Sequence, residues 1–136
     1  MNPEPQLPQP REVWSVFDSD VKLHENNRKD KGTRFVLVLM KRDLIIDHQS
    51  IFNVVPLSAS AKPDKLSLPI SAGYEEVAND FHPKDTSCAV VNFYQPLKFS
   101  AFKKYRGRID ETTYEMVKTV LSVEVIGYRD LDYSIA

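Results

Sequence analysis

The 136-residue chain has one cysteine, three histidines and no excess of charge of either sign, with 18 lysines and arginines against 19 aspartates and glutamates. A single cysteine excludes an internal disulfide framework and a zinc cluster built on thiolates. Cys88 lies in the apolar run SCAVVNF, where a buried, inert thiol is expected in place of a nucleophile. His24, His48 and His82 show no ligand spacing, so neither a zinc site nor any other cofactor is expected. No apolar stretch approaches the roughly 20 residues that span a bilayer, and no membrane association is expected. The near-balance of charge excludes a polycation, so any attraction to nucleic acid has to come from local asymmetry. There is no internal repeat.

What is present suffices for one domain with its own core, at 42% hydrophobic and 27% charged residues. Residues 1–10, MNPEPQLPQP, carry Pro3, Pro5, Pro8 and Pro10 and read as a flexible, extended arm ahead of a single domain over 11–136. This polar start is unlike a secretion signal, and the cytoplasm is the expected compartment.

The first strand is predicted at REVWSVF, around Val13, Trp14, Val16 and Phe17, followed by a long polar loop closed by Gly32. RFVLVLM is a continuous run of β-formers suited to a strand buried on both faces. DLIIDH and IFNVVPLS read as further strands, with Pro56 weakening or ending the second. KLSL, between Pro63 and Pro69, reads as an edge strand, SAGYEEVANDFHPKDT as loop or irregular structure, and SCAVVNFYQPL as one more strand ending at Pro96. From Asp110 to Ile126 the period changes. Tyr114, Val117, Val120, Leu121 and Val125 recur at helical spacing, Asp110 or Thr112 can cap the start, and Gly127 can stop the helix. Short strands followed by one late helix predict a mostly β, strongly bent antiparallel sheet or partly open barrel.

One stretch stands apart. NFYQPLKFSAFKKYRGR, Asn92 to Arg108, has five cations and five rings and no acid. Cations attract phosphate and rings stack on bases, which would make this a nucleic-acid surface. Rings in a core with lysines in water is the plainer reading.

In order along the chain, REVWSVFDSD, HENNRKDKGTRFVLVL, FNVVPLSAS, SCAVVNFYQPLKFS and YRGRIDETTYEMVKTVLSVEVIGY resemble the MazF/PemK/Kid family of toxin endoribonucleases from toxin–antitoxin modules. The resemblance spans about residues 11–127 and implies a small SH3-like barrel of antiparallel strands, also seen in CcdB-like proteins, with a C-terminal helix. It further implies a homodimer that binds single-stranded RNA across its interface and cleaves mRNA without a metal, inhibiting growth. The implied protein partner is an acidic, partly disordered antitoxin.

Carried over by residue, Arg34 in GTRF and Ser58 in VVPLS fall on the family's catalytic arginine and hydroxyl. His24, next to Glu25 in HENN, falls on the loop that borders the RNA, and Asn92, Tyr94, Lys98 and Lys103 fall along the expected RNA surface. The family's D-Q-P-R segment reads YQPL here, with Tyr94 in place of the acid and Leu97 in place of the base. Two alternatives follow: a MazF/CcdB-like module that binds RNA, gyrase or antitoxin without cutting, and an adaptor domain whose basic stretch is ordinary surface. In a purely structural role, Arg34 would pair with Asp43 or Asp47.

Overall fold

The computed structural model describes residues 6–23 and 32–126. Among them are strands β1 (Glu12–Phe17), β2 (Thr33–Ile46), β3 (Gln49–Ser58), β4 (Ser67–Pro69), β5 (Tyr74–Val77), β6 (Cys88–Val90), β7 (Gln95–Lys98) and β8 (Phe102–Ile109), and helix α1 (Glu111–Val120). The strands form an antiparallel sheet in the order β4-β6-β3-β2-β1-β8-β5, with β7 alongside β3. The outermost strands β4 and β5 do not pair, so the strongly bent sheet is not closed.

Alternation along β1 to β3 divides the core between two faces. Val13, Leu37, Leu39, Val55 and Leu57 lie on one, where Val117 of α1 covers them. Trp14, Val16, Val36, Val38, Phe52 and Val54 lie on the other. Leu37 is fully buried, and truncating such a side chain to alanine costs about 2–5 kcal/mol. The burial of RFVLVLM on both faces is as its composition predicts, up to Leu39.

Several elements differ from expectation for local reasons. DLII is no separate strand but the far half of β2, and Asp47 and His48 form a two-residue turn into β3 with φ of 53° and 63°. Two consecutive left-handed residues match the twist of a hairpin. Pro56 does not end β3. It pairs with Val36 of β2 and, on the other side, falls between the last β7 pair, Val54–Gln95, and the first β6 pair, Leu57–Ala89. A missing N–H interrupts a sheet least at such a gap. SCAVVNFYQPL is split into β6 and β7 by a tight turn over Val91–Phe93. YEEV forms the edge strand β5, and the basic KKYRGR lies within β8, between β1 and β5. Gly107 is required there, because a Cβ would lie 2.6 Å from the Glu76 carbonyl oxygen.

Helix α1 starts where Asp110 Oδ1 accepts the Thr113 N–H at 2.7 Å, as one of the two predicted caps would. The Tyr114 hydroxyl donates to the Leu39 carbonyl at 2.5 Å and ties the helix to β2. A π-turn over Leu121–Val125 extends it. The predicted stop at Gly127 lies outside the described residues. Pro8, in the predicted arm, is buried, and the Gln9 N–H donates to Glu12 Oε1 at 2.8 Å.

Candidate functional site

Arg34 lies near the start of β2, opposite Val16 of β1. The β2–β3 register pairs Val36 with Pro56, and carried two residues further it sets Ser58 across from Arg34. Opposed residues of an antiparallel pair project from the same face, so the two predicted catalytic residues share a face at one end of the sheet. Both are buried in the single chain, at 4% exposure each.

Arg34 is held by a residue that the sequence did not single out. At the end of β1 the chain makes a tight turn over Asp18–Asp20, stapled by the Asp18 N–H to the Gly32 carbonyl at 3.2 Å. That turn brings the Asp18 carboxylate back over β2, where its Oδ1 accepts the Arg34 Nε–H at 2.7 Å. Asp18 is 1% exposed. The structural partners expected for Arg34, Asp43 and Asp47, lie toward the hairpin tip, and Asp47 binds Lys98 instead. Ser58 Oγ accepts the N–H groups of Ser60 and Ala61 at 3.3 and 3.2 Å, so the hydroxyl shapes the turn that follows β3.

Of the predicted RNA-contacting residues, Lys103 approaches this corner most closely. Its Nζ donates to the Gly32 carbonyl at 3.1 Å and to Thr33 Oγ1 at 2.6 Å, and lies 4.5 Å from the centroid of the Phe17 ring. Asn92 and Tyr94 are exposed in and just after the turn between β6 and β7, beside the stretch of β3 that leads to Ser58. Lys98 is distant. It pairs with Ile51, which at ~3.3 Å per residue lies about 23 Å along β3 from Ser58. His24 lies outside the described residues.

The rings and cations of Asn92–Arg108 separate in the fold. Phe93, Phe99, Phe102 and Tyr105 pack against the core of one face, whereas Tyr94 is 42% exposed. The positive charge is partly compensated: Lys98 pairs with Asp47, and Arg108 with Glu75 and Glu76. Lys103 and Lys104 have no carboxylate partner among the described residues, and both lie on β8 where it runs along the end of β1. The plainer reading thus holds for most of the rings, and the local charge asymmetry for these two lysines.

Gln95, in the YQPL segment, also escaped notice in the sequence. Its side-chain oxygen accepts the Lys22 N–H at 2.8 Å and its amide donates to the Lys22 carbonyl at 2.7 Å. This two-way bond clamps the segment after the Asp18–Asp20 turn against the start of β7. A glutamine flanked by a tyrosine and a proline carries no sequence signal for such a contact. Leu97, two residues on, is buried in the core and supplies no polar group. Cys88 is buried in β6, and burial pushes its thiol up, with the Asp64 charge adding to the shift, as an inert thiol requires. Among the described residues no cluster of three or more His, Cys, Asp or Glu is placed to hold a metal, and no helix is long and apolar enough to cross a membrane.

No protein-family model and no curated protein matches the chain. Solved structures do. A MazE–MazF crystal structure from Deinococcus radiodurans superposes with a TM-score of 0.56 at 13% identity, covering 90% of this chain and 98% of that one. A mycobacterial endoribonuclease in complex with its cognate antitoxin gives 0.56 at 12%, covering 86% and 93%. The Mycobacterium tuberculosis toxin MazF-mt6 gives 0.54 at 15%, covering 82% and 93%. Near-complete coverage of both partners, with an open antiparallel sheet and a single late helix, shows that this chain has a MazF-like fold.

Proposed function

We propose that the chain is a toxin-type, metal-independent endoribonuclease that cleaves single-stranded mRNA as a cytoplasmic homodimer, and that an acidic, partly disordered antitoxin neutralises it. The observation that carries this reading is the register of β2 and β3, which, carried two residues past Val36–Pro56, sets Arg34 and Ser58 on one face of a MazF-like sheet. In the reaction, the ribose 2′-oxygen attacks the adjacent phosphorus and the bond to the 5′-oxygen breaks. The proton lost by the 2′-hydroxyl is balanced by one gained at the departing 5′-oxygen, leaving a cyclic phosphate and a 5′-hydroxyl. Such a step needs positioning and charge stabilisation at the phosphorus. A guanidinium held rigid by Asp18 supplies fixed donors, and the Ser58 hydroxyl lies across from it. Asn92, Tyr94, Lys103 and, further along, Lys98 would guide the strand, together with His24, which lies outside the described residues.

One observation favours a second reading. Leu97, at the position of the family's second base, is buried in the core, and Tyr94 replaces the acid. A relative that binds RNA, gyrase or antitoxin without cutting would have lost those groups. Incubating purified protein with a long RNA in EDTA and mapping the ends separates the two. Cyclic-phosphate and 5′-hydroxyl ends are expected, with the rate reduced about 10²–10³-fold in Arg34→Ala. Intact RNA bound by the wild type would establish the non-cutting relative.

A further inference from the structure

Asp20, at the end of the turn after β1, and the segment 96–101 line a cleft of about 310 Å³. That is the lower end of the ~300–1,000 Å³ typical of small-molecule sites. Pro96, Leu97 and Ala101 give it apolar surface, and Asp20, Lys98 and Ser100 give it polar groups. The Gln95–Lys22 bonds fix the two walls to one another, so the cleft is built rather than incidental. Asp20 lies two residues along the chain from the carboxylate that holds Arg34, whereas Lys98 lies toward the far end of β3 from Ser58.

The polar groups are not equivalent. Lys98 is engaged with Asp47. The carboxylate of Asp20 is exposed and has no hydrogen bond or ion pair among the described residues. The Ser100 backbone N–H is taken by Gln49, and its hydroxyl has no partner among the described residues. An unengaged carboxylate repels phosphate, so on an RNA surface it has no use for the backbone. It accepts hydrogen bonds only, through two oxygens side by side. Among the four bases, guanine alone offers two adjacent donors, N1–H and the N2 amino group, on its Watson–Crick edge. Single-stranded RNA is read along that edge.

We infer that this cleft is a base-selecting subsite for a guanine of the bound strand, with Asp20 accepting from N1–H and N2–H, Ser100 supplying a further polar contact and Pro96, Leu97 and Ala101 covering the ring. The inference rests on the RNA-binding part of the reading above, but not on cleavage.

The test uses the full chain and fluorescent single-stranded oligonucleotides, 2′-O-methylated so that they cannot be cut, differing only in one central G, A, C or U. The wild type is expected to bind the G-containing strand roughly 10- to 100-fold more tightly than the others, the discrimination of one bidentate base contact. Asp20→Asn, an isosteric change at an exposed position, should bring the four affinities together while circular dichroism stays unchanged. Ser100→Ala should narrow the preference less. Free GMP should compete only weakly, because it lacks the flanking phosphates; GMP binding as tight as the strand would mark a free-nucleotide site and overturn the inference. Equal affinity of the wild type for all four strands, binding of none, or an undiminished preference in Asp20→Asn would overturn it as well. Unmodified RNA keeps the two proposals separable. A protein that selects guanine without cutting contradicts only the nuclease, and one that cuts with the same site preference in Asp20→Asn contradicts only the subsite.

Discussion

Arg34 and Arg106 are both strand arginines buried to nine-tenths or more, yet their surroundings differ in kind. Arg34 meets a carboxylate that is itself buried, Asp18 at 2.7 Å. Arg106 falls at the bulge between Tyr105 and Gly107, where β8 slips against β1. Its Nη2 donates to the Asn79 carbonyl at 2.7 Å, its guanidinium lies 5.4 Å from the centroid of the Phe81 ring, and its buried Nε has no hydrogen-bond partner among the described residues. Its backbone carbonyl also accepts the Ala78 N–H, so Arg106 fastens the loop after β5. One arginine is part of a buried ion pair; the other is a strut. Burial of a cation therefore does not by itself separate a structural arginine from the proposed catalytic one.

The contrast can be broken most easily at Asp18. Asp18→Ala removes the buried carboxylate bonded to Arg34, and urea denaturation should show a loss of about 3–5 kcal/mol. Arg106→Met keeps the apolar stem and gives up one hydrogen bond to a carbonyl, so about 1 kcal/mol is expected by the same measurement. If Arg106→Met proves as costly as Asp18→Ala, the two sites are alike and the distinction fails. The smallest effect should come from Asp110, away from both. The Thr113 backbone N–H, and then its side chain, hold the Asp110 carboxyl below its ordinary value of 3.8. A depressed folded value means that its stabilisation is complete above the unfolded value and is lost as pH falls through the folded one. The stability gap between wild type and Asp110→Ala should thus be constant near neutrality and close below about pH 4, as thermal melts at a series of pH values would show.

The elements whose pattern is local were legible in the sequence: β1 around Trp14, the run Arg34–Met40, and a helix capped by Asp110. The order of the motifs gave the fold correctly. What escaped depends on contacts distant in sequence. β8 was hidden because its rings face the core while Lys103 and Lys104 are exposed, a pattern shared by any amphipathic surface segment. β5 was hidden because an edge strand of four residues, three of them exposed, has no apolar signature. At the candidate site, Arg34 and Ser58 could be proposed from their motifs, but the register that sets them on one face could not be read from run lengths, because β2 absorbs DLII and its pairing with β3 shifts twice. Asp18 could not be read at all. DSD after a strand signals a turn, but only the folded turn returns that carboxylate to β2, and Asp43 and Asp47 were nearer in sequence. Gln95 and Asp20 were invisible for the same reason, since a clamp and a cleft wall are properties of two segments brought together.

The central claim is that the Arg34 corner performs chemistry and is more than a buried pair. Single substitutions confound the two, because each removes one charge of a buried pair and keeps the other. The double variant Arg34→Met, Asp18→Leu removes both charges and keeps the volume, and such replacements of a buried pair are often neutral or stabilising. The decisive measurement is its single-turnover cleavage of a long RNA in EDTA, with urea denaturation on the same sample. A variant as stable as the wild type that cleaves about 10²-fold or more slowly is the expected result. A stable double variant that cleaves at the wild-type rate would contradict the assignment of Arg34.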